Sequence, residues 1–201
     1  LWGSNINNQK IIIVASPNVQ ANFKLQLFDE RRLEYKNKRW NIENCVGNSI
    51  LKELNLVNQS LLSKKDITSQ VNSLINKYYI FFGYTEFANH IIKIASVSND
   101  LLSSREKENL SNQQLYKYFS NRLIIIDEVH NIRISDDNKN KLVAQELLRV
   151  VEVTKNLKLL LLSATPLYNS YKEIIWLINL LNKNDNRTQL LESDVFVILY
   201  N

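Results

Sequence analysis

Four short runs of uninterrupted apolar residues mark the chain: "IIIVA" (11–15), "YYIFFGY" (78–84), "RLIIIDE" (122–128) and "LKLLLLSAT" (157–165). Continuous runs, as opposed to alternating ones, suit strands covered on both faces, and hence a parallel sheet. Each run is short and ends on polar or turn-forming residues, which favours strand over buried helix. The spacing predicts a helix over 18–35, with Val19, Phe23, Leu27 and Phe28 on one face. A second is expected over 66–79, opened by Asp66 as N-cap and burying Ile67, Val71, Leu74, Ile75 and Tyr78. Further helices are expected over 85–94, over 141–154 through Val143, Leu147, Val150 and Val151, and over 170–182. In the last, Ser170 and Glu173 have capping-box spacing. Strand followed by helix, repeated, predicts an α/β fold with helices on both faces of the sheet. The Asn/Ser-rich tracts 54–66 and 96–114 read as loops or insertions, and 183–201 as a tail or the start of a linker.

Composition narrows the class more than the function. With 201 residues, 45% of them hydrophobic and 22% charged, the chain has a globular profile and the length of one domain. Its formal charge of +5 permits an anionic partner such as nucleic acid, and equally suits a merely basic domain. The single cysteine, Cys45, cannot form an internal disulfide, and with only two histidines it cannot build a metal cluster. An intracellular, reducing compartment is favoured. No apolar run approaches the ~18 residues of a membrane span, and the first residues lack the regions of a signal peptide, so no membrane partner is expected. Asn makes up about one residue in seven while Gly numbers 3 and Pro 2. This is a compositional bias that keeps loops polar without making them acidic.

In an open parallel sheet, ligands bind beyond the carboxyl ends of the strands. Asp127 and Glu128 stand at such an end, directly after the third run. One carboxylate there can hold Mg²⁺, largely through its water shell, while its neighbour positions or deprotonates an attacking water. A solvated turn explains an isolated "DE" equally well. Ser163, 36 residues after Asp127, opens "SATP" at the end of the fourth run. Small hydroxyl residues at that position can link the carboxylates to whatever lies across the cleft. The two tetrapeptides in this order and spacing form a stronger signal than either alone.

"LIIIDEVHNIR" and "LLLLSATPLYNSYKEIIWLINLLN" resemble motifs II and III of superfamily 2 helicases and translocases of the DEAD/DEAH-box type. "TPLYNSYKEIIWLINLL" is similar to the Swi/Snf-like branch. "WNIENCVGNSILKELN" (40–55) and "YYIFFGYTEFANHI" (78–91) resemble helicase-like ATPases of large nucleocytoplasmic DNA viruses. The resemblance runs from about Lys10 to Asn182 and implies a RecA-like, P-loop NTPase type of sheet. It implies ATP and Mg²⁺ as cofactors, with Asp127 binding Mg²⁺–ATP, Glu128 orienting the hydrolytic water and His130 sensing the γ-phosphate side. Ser163, Ala164 and Thr165 would couple hydrolysis to nucleic acid. "VASPNVQANF" resembles motif Ia, with Ser16, Pro17 and Asn18 meeting a DNA or RNA backbone at a helix N-terminus. "GYTEF" occupies the place of motif Ib, with Tyr84 and Thr85 as strand-contacting residues. Viral transcription machinery is the partner the resemblance suggests, in a virion or host cytoplasm.

One departure qualifies this. A complete motor needs a G-x-x-x-x-G-K-[ST] loop, and the three glycines, Gly3, Gly47 and Gly83, are none of them followed by Lys. Residues 1–182 are therefore expected to be part of a first lobe, lacking the upstream phosphate loop and the second RecA-like lobe with its arginine finger. The rival expectation is a non-enzymatic RecA-like scaffold or nucleic-acid-binding module that has lost the loop. Other features have plainer readings. His90 and Cys45 are expected to be structural, and Trp40 and Trp176 core anchors, although Trp40 beside Arg39 could stack on a base. "DERR" (29–32) and "KNKR" (36–39) read as solvated helix face, with a nucleic-acid patch as the alternative. "SDDNKNK" (135–141) reads as an exposed loop and cap.

Overall fold

A computed structural model describes residues 9–43, 46–54, 61–132, 138–165 and 171–195. Gly3, Cys45, Ser170 and the first residues of the 135–141 stretch lie outside these. All four apolar runs are strands: β1 (Ile11–Val14), β4 (Tyr79–Phe82), β5 (Leu123–Ile126) and β6 (Lys158–Leu161). They form one parallel sheet in the order β4-β1-β5-β6. In register, Ile12 lies between Ile80 and Ile124, and Ile126 pairs with Leu161.

Strand alternation sorts the side chains onto two faces. Ile12, Val14, Ile80, Phe82, Ile124, Ile126, Leu159 and Leu161 share one face. That face packs under α4 (Tyr84–Ala95), α5 (Ser104–Phe119), α6 (Asn138–Val153) and α7 (Tyr171–Asn184). On the opposite face a second core joins Tyr79 and Phe81 to α1 (Pro17–Leu27), α2 (Gly47–Glu53) and α3 (Lys64–Tyr78). This second core lies on the β1 and β4 side. Leu160 is 45% exposed and Leu162 42% exposed, so on β6 the same face is open among the described residues.

Four local expectations are corrected. The helix predicted over 18–35 ends at Leu27, because Phe28 is extended (φ −155°) and buried. Asp29 then accepts from the Arg31 backbone N–H and takes the Arg31 guanidinium in two bonds of 2.9 Å, a local alternative to helix. "DERR" is thus a 3₁₀ turn (Glu30–Arg32), and "KNKR" is the turn of a hairpin between β2 (Leu33–Lys36) and β3 (Arg39–Ile42). Asn37 (φ 54°) and Lys38 (φ 62°) both lie in the left-handed region, as a two-residue type I′ turn requires. Helix α3 starts earlier than Asp66: Ser63 is the N-cap, in a reciprocal capping box with Asp66 at N3. The 96–114 tract is not a loop throughout, since α5 begins at Ser104 behind its own Ser103/Glu106 box. After α7 the chain folds back, with the Asn179 amide bonding both the Leu190 N–H (2.7 Å) and its C=O (2.9 Å), before the short α8 (Glu192–Val195). Trp40 and Trp176 both pack onto the cores as anchors.

Candidate functional site

The candidate residues all fall on one rim, the carboxyl ends of the four strands. Across the sheet, Tyr84–Thr85 follow β4, Ser16–Asn18 follow β1, Asp127–His130 follow β5 and Ser163–Thr165 follow β6. Parallel pairing forces this, because every strand exits on the same side.

The acidic turn is tightly specified by backbone bonds. Asp127 N–H donates to Val14 C=O (3.0 Å), Leu162 N–H to Ile126 C=O (2.9 Å) and Val129 N–H to Leu162 C=O (2.9 Å). A 3₁₀ turn over Val129–Ile132 follows, closed by Asn131 N–H to Glu128 C=O and anchored by buried Val129 and Ile132. Glu128 itself has φ 45°. Among the described residues six non-glycine positions have positive φ, and four of them are Asn, the residue that tolerates this region best. Glu128 is the acidic exception, at a cost of order 1 kcal/mol held by its surroundings.

Side chains then converge. His130 Nδ1 lies 3.1 Å from Ser163 Oγ and 3.3 Å from Glu128 Oε2. The second contact lacks hydrogen-bond alignment, and Glu128 Oε2 is buried with no hydrogen-bond partner. Ser163 Oγ also accepts from Thr165 N–H (3.2 Å), which curls the exposed Ala164–Thr165 pair back over the end of β6. The half-buried Asp127 carboxylate makes no hydrogen bond or ion pair among the described residues. A free carboxylate beside a buried, unbonded carboxylate oxygen fits Mg²⁺, which takes few protein ligands and keeps several waters. No group of three or more His, Cys, Asp or Glu side chains suited to a metal occurs among the described residues. A softer metal such as zinc would need a fuller ligand set.

On the other half of the rim, Ser16 is the half-buried N-cap of α1, its hydroxyl not bonded to the helix, with Pro17 and Asn18 exposed beside it. Gly83 caps α4, its N–H donating to Glu86 (3.1 Å), and Thr85 is exposed in the first turn. Tyr84, expected to contact a strand, is half-buried. Its hydroxyl donates to the Asp127 C=O at 3.0 Å and receives a weak bond from Asn131 Nδ2 at 3.4 Å. Burial pushes the Tyr84 phenol up, so it remains a donor at neutral pH. Sequence reasoning had no signal for this, because the contact spans 43 residues. His90 is structural as expected: its Nε2 meets the Tyr118 hydroxyl at 2.9 Å and its ring packs on Phe82.

Comparison with known proteins places the chain in a family. A sequence profile described as the SNF2-related domain matches residues 29–191. Two proteins of Acanthamoeba polyphaga mimivirus, L377 and R563, both provisionally named as ATP-dependent RNA helicases, are similar to the chain. L377 is 28% identical over 153 residues, covering 68% of this chain and 13% of that protein. R563 is 27% identical over 182 residues, covering 89% of this chain and 25% of that protein. A protein of Invertebrate iridescent virus 3, provisionally named helicase 087L, is 28% identical over 112 residues, or 56% of this chain and 10% of its own length. The chain thus spans a quarter or less of these relatives. No solved structure gives a significant match.

Proposed function

The chain belongs to the SNF2-related domain family, and from that premise we propose that it supplies the hydrolysing rim of an ATP-dependent nucleic-acid helicase or translocase of viral type. The observation that carries this reading is the contact of His130 with both Glu128 and Ser163, which ties the end of β5 to the end of β6. Asp127 holds the metal through its water shell, and Glu128 orients the attacking water. His130 keeps Glu128 and Ser163 in one unit, so a shift at Ser163–Thr165 reaches the carboxylate. Mg²⁺–ATP, when bound, supplies the bond that breaks and the cation that offsets phosphate charge. Ser16–Asn18 and Thr85 face a DNA or RNA backbone at two helix N-termini. None of the three glycines builds a phosphate loop. The amide cradle and a second lobe with its arginine therefore come from residues outside this sequence.

The test compares binding with turnover in the full-length protein. Glu128→Gln lowers turnover by roughly 10²–10⁴-fold with little change in nucleotide affinity, whereas Asp127→Asn weakens Mg²⁺–ATP binding itself. The 201 residues alone should show no ATPase, and calorimetry should give an ATP affinity no better than about 1 mM, roughly −4 kcal/mol. Equal, mild effects of both substitutions on both quantities overturn the reading. Nucleic-acid binding by a full-length protein that hydrolyses nothing favours the scaffold alternative.

A further inference from the structure

Glu128 is held in its left-handed conformation from both sides by contacts distant in sequence. Downstream, the Val129 N–H is fixed by Leu162 C=O at 2.9 Å. Upstream, the Asp127 C=O is fixed by the Tyr84 hydroxyl at 3.0 Å. A peptide is planar, so fixing the Asp127 carbonyl fixes the orientation of the Glu128 N–H; with the Val129 N–H also held, both peptide planes flanking the Glu128 Cα are fixed, which restricts rotation about its N–Cα bond. That rotation decides where the Glu128 carboxylate points. Remove the hydroxyl, and the Asp127–Glu128 peptide can turn to relieve the φ of 45°.

Tyr84 is also the first residue of α4, directly beside exposed Thr85. Its hydroxyl thus links the helix that follows β4 to the end of β5, although β1 lies between those two strands in the sheet. The ring is packed against the main core and the hydroxyl is additionally bonded by Asn131, so the side chain moves with α4. We propose that Tyr84 is a positioning residue: it aims Glu128 for hydrolysis and transmits the state of the α4 N-terminus to it. This rests on the function proposed above and deepens it by naming how nucleic acid regulates the same site. The ligand sensed at α4 is a phosphodiester backbone. Its displacement of the first turn of α4 reaches the Asp127–Glu128 peptide through one hydrogen bond.

The experiment uses the full-length protein and a single-stranded oligonucleotide. Tyr84→Phe keeps the ring and its packing and removes only the hydroxyl. Expected is a fall of roughly 10–100-fold in strand-stimulated kcat, with the ratio of stimulated to unstimulated turnover collapsing toward one. KM for ATP and Kd for the strand, the latter by fluorescence anisotropy, stay within about twofold, since neither ligand touches the hydroxyl. Asn131→Ala, which only orients the phenol, lowers the stimulation ratio in the same direction and by less, and carries the test should Tyr84→Phe fold poorly. An unchanged stimulation ratio in both variants overturns the proposal. So does a rise in strand Kd with saturated turnover intact, which makes Tyr84 a strand contact after all. A wild-type protein without strand-stimulated ATPase removes the function reading, and this proposal with it; intact stimulation in the variants removes this proposal alone.

Discussion

At its β4 edge the sheet is wrapped on both faces, whereas at its β6 edge only one face has cover among the described residues. Tyr79 and Phe81 lie under α1 and α3, and Phe82 lies under α4, so β4 has neighbours above and below. On β6, Leu159 and Leu161 reach the main core while Leu160 and Leu162 face outward. Parallel sheets are stable when both faces are covered. The half of the rim bearing Ser16–Asn18 and Thr85 therefore stands on a finished foundation. The half bearing Glu128, His130 and Ser163 stands beside a face that is open among the described residues.

Substitutions on the two sides should differ accordingly. On the finished side, Phe119 is fully buried and meets Phe87 edge-to-face at 6.4 Å and Tyr118 at 4.8 Å. Phe119→Ala should cost about 3–5 kcal/mol, enough to unfold much of the chain, as read by denaturant titration. A smaller loss is expected at Ser111, a buried α5 hydroxyl that donates to Ala95 C=O at 2.6 Å and receives Arg149 at 2.6 Å. Ser111→Ala leaves that carbonyl without its donor and should cost about 1–3 kcal/mol. Acid titration should then act in two windows. Burial, reinforced by the charges of Arg122 and Lys93, holds the His90 imidazole below the usual histidine range. The folded state binds fewer protons there, so stability is complete above about pH 6.5 and declines as pH falls through that window. Asp29 is lowered to about 2, chiefly by its hydrogen bonds to Arg31, so its contribution is lost only as pH falls from the ordinary carboxylate range toward that value. Thermal melts across pH 8 to 2 should show both declines, and His90→Gln should remove the first. The least effect belongs to the open edge: Leu160→Lys should stay within about 0.5 kcal/mol in these 201 residues. The same substitution should cost clearly more in the full-length protein, and equal effects in both contexts would erase the contrast between the edges.

The parts legible in the sequence were those where one residue property dominates. Ile11–Val14 and Leu123–Ile126 are runs that a covered strand explains well, so the sheet was readable; Lys158–Leu161 is equally apolar, yet one of its faces is open among the described residues. Helix α5 was not, because "SREKENLSNQQLYKYF" is polar nearly throughout and buries only Ser111, Leu115 and Phe119. Their spacing of four, behind Ser103 and Glu106, was the signal available. The hairpin was hidden because its turn is Asn37–Lys38, where lysine replaces the glycine usual in a type I′ turn. At the candidate site, the motif order pointed to the ends of β5 and β6 as one region, but neither the contact of His130 with Ser163 nor that of Tyr84 with Asp127 was legible. A phenol at a helix start has no local feature that selects a carbonyl 43 residues away over a nucleic acid.

Arg122, only 7% exposed, donates through Nε to Tyr118 C=O (3.1 Å) and through Nη1 to Lys10 C=O (2.8 Å), a span of 112 residues. This has a consequence for how the protein is made. Strand β1 is translated well before its partner β5 and this guanidinium. At about 5–20 residues per second, β1 waits roughly 6–20 s before its central position in the sheet can be filled. Ile11–Val14, an apolar segment of the kind that aggregates when left unpaired, thus keeps its β5-facing edge open for the whole of that interval, even once β4 can pair with its other edge. Slowing translation between β1 and β5 should lower the soluble yield, and attaching a chaperone-recruiting leader should restore it.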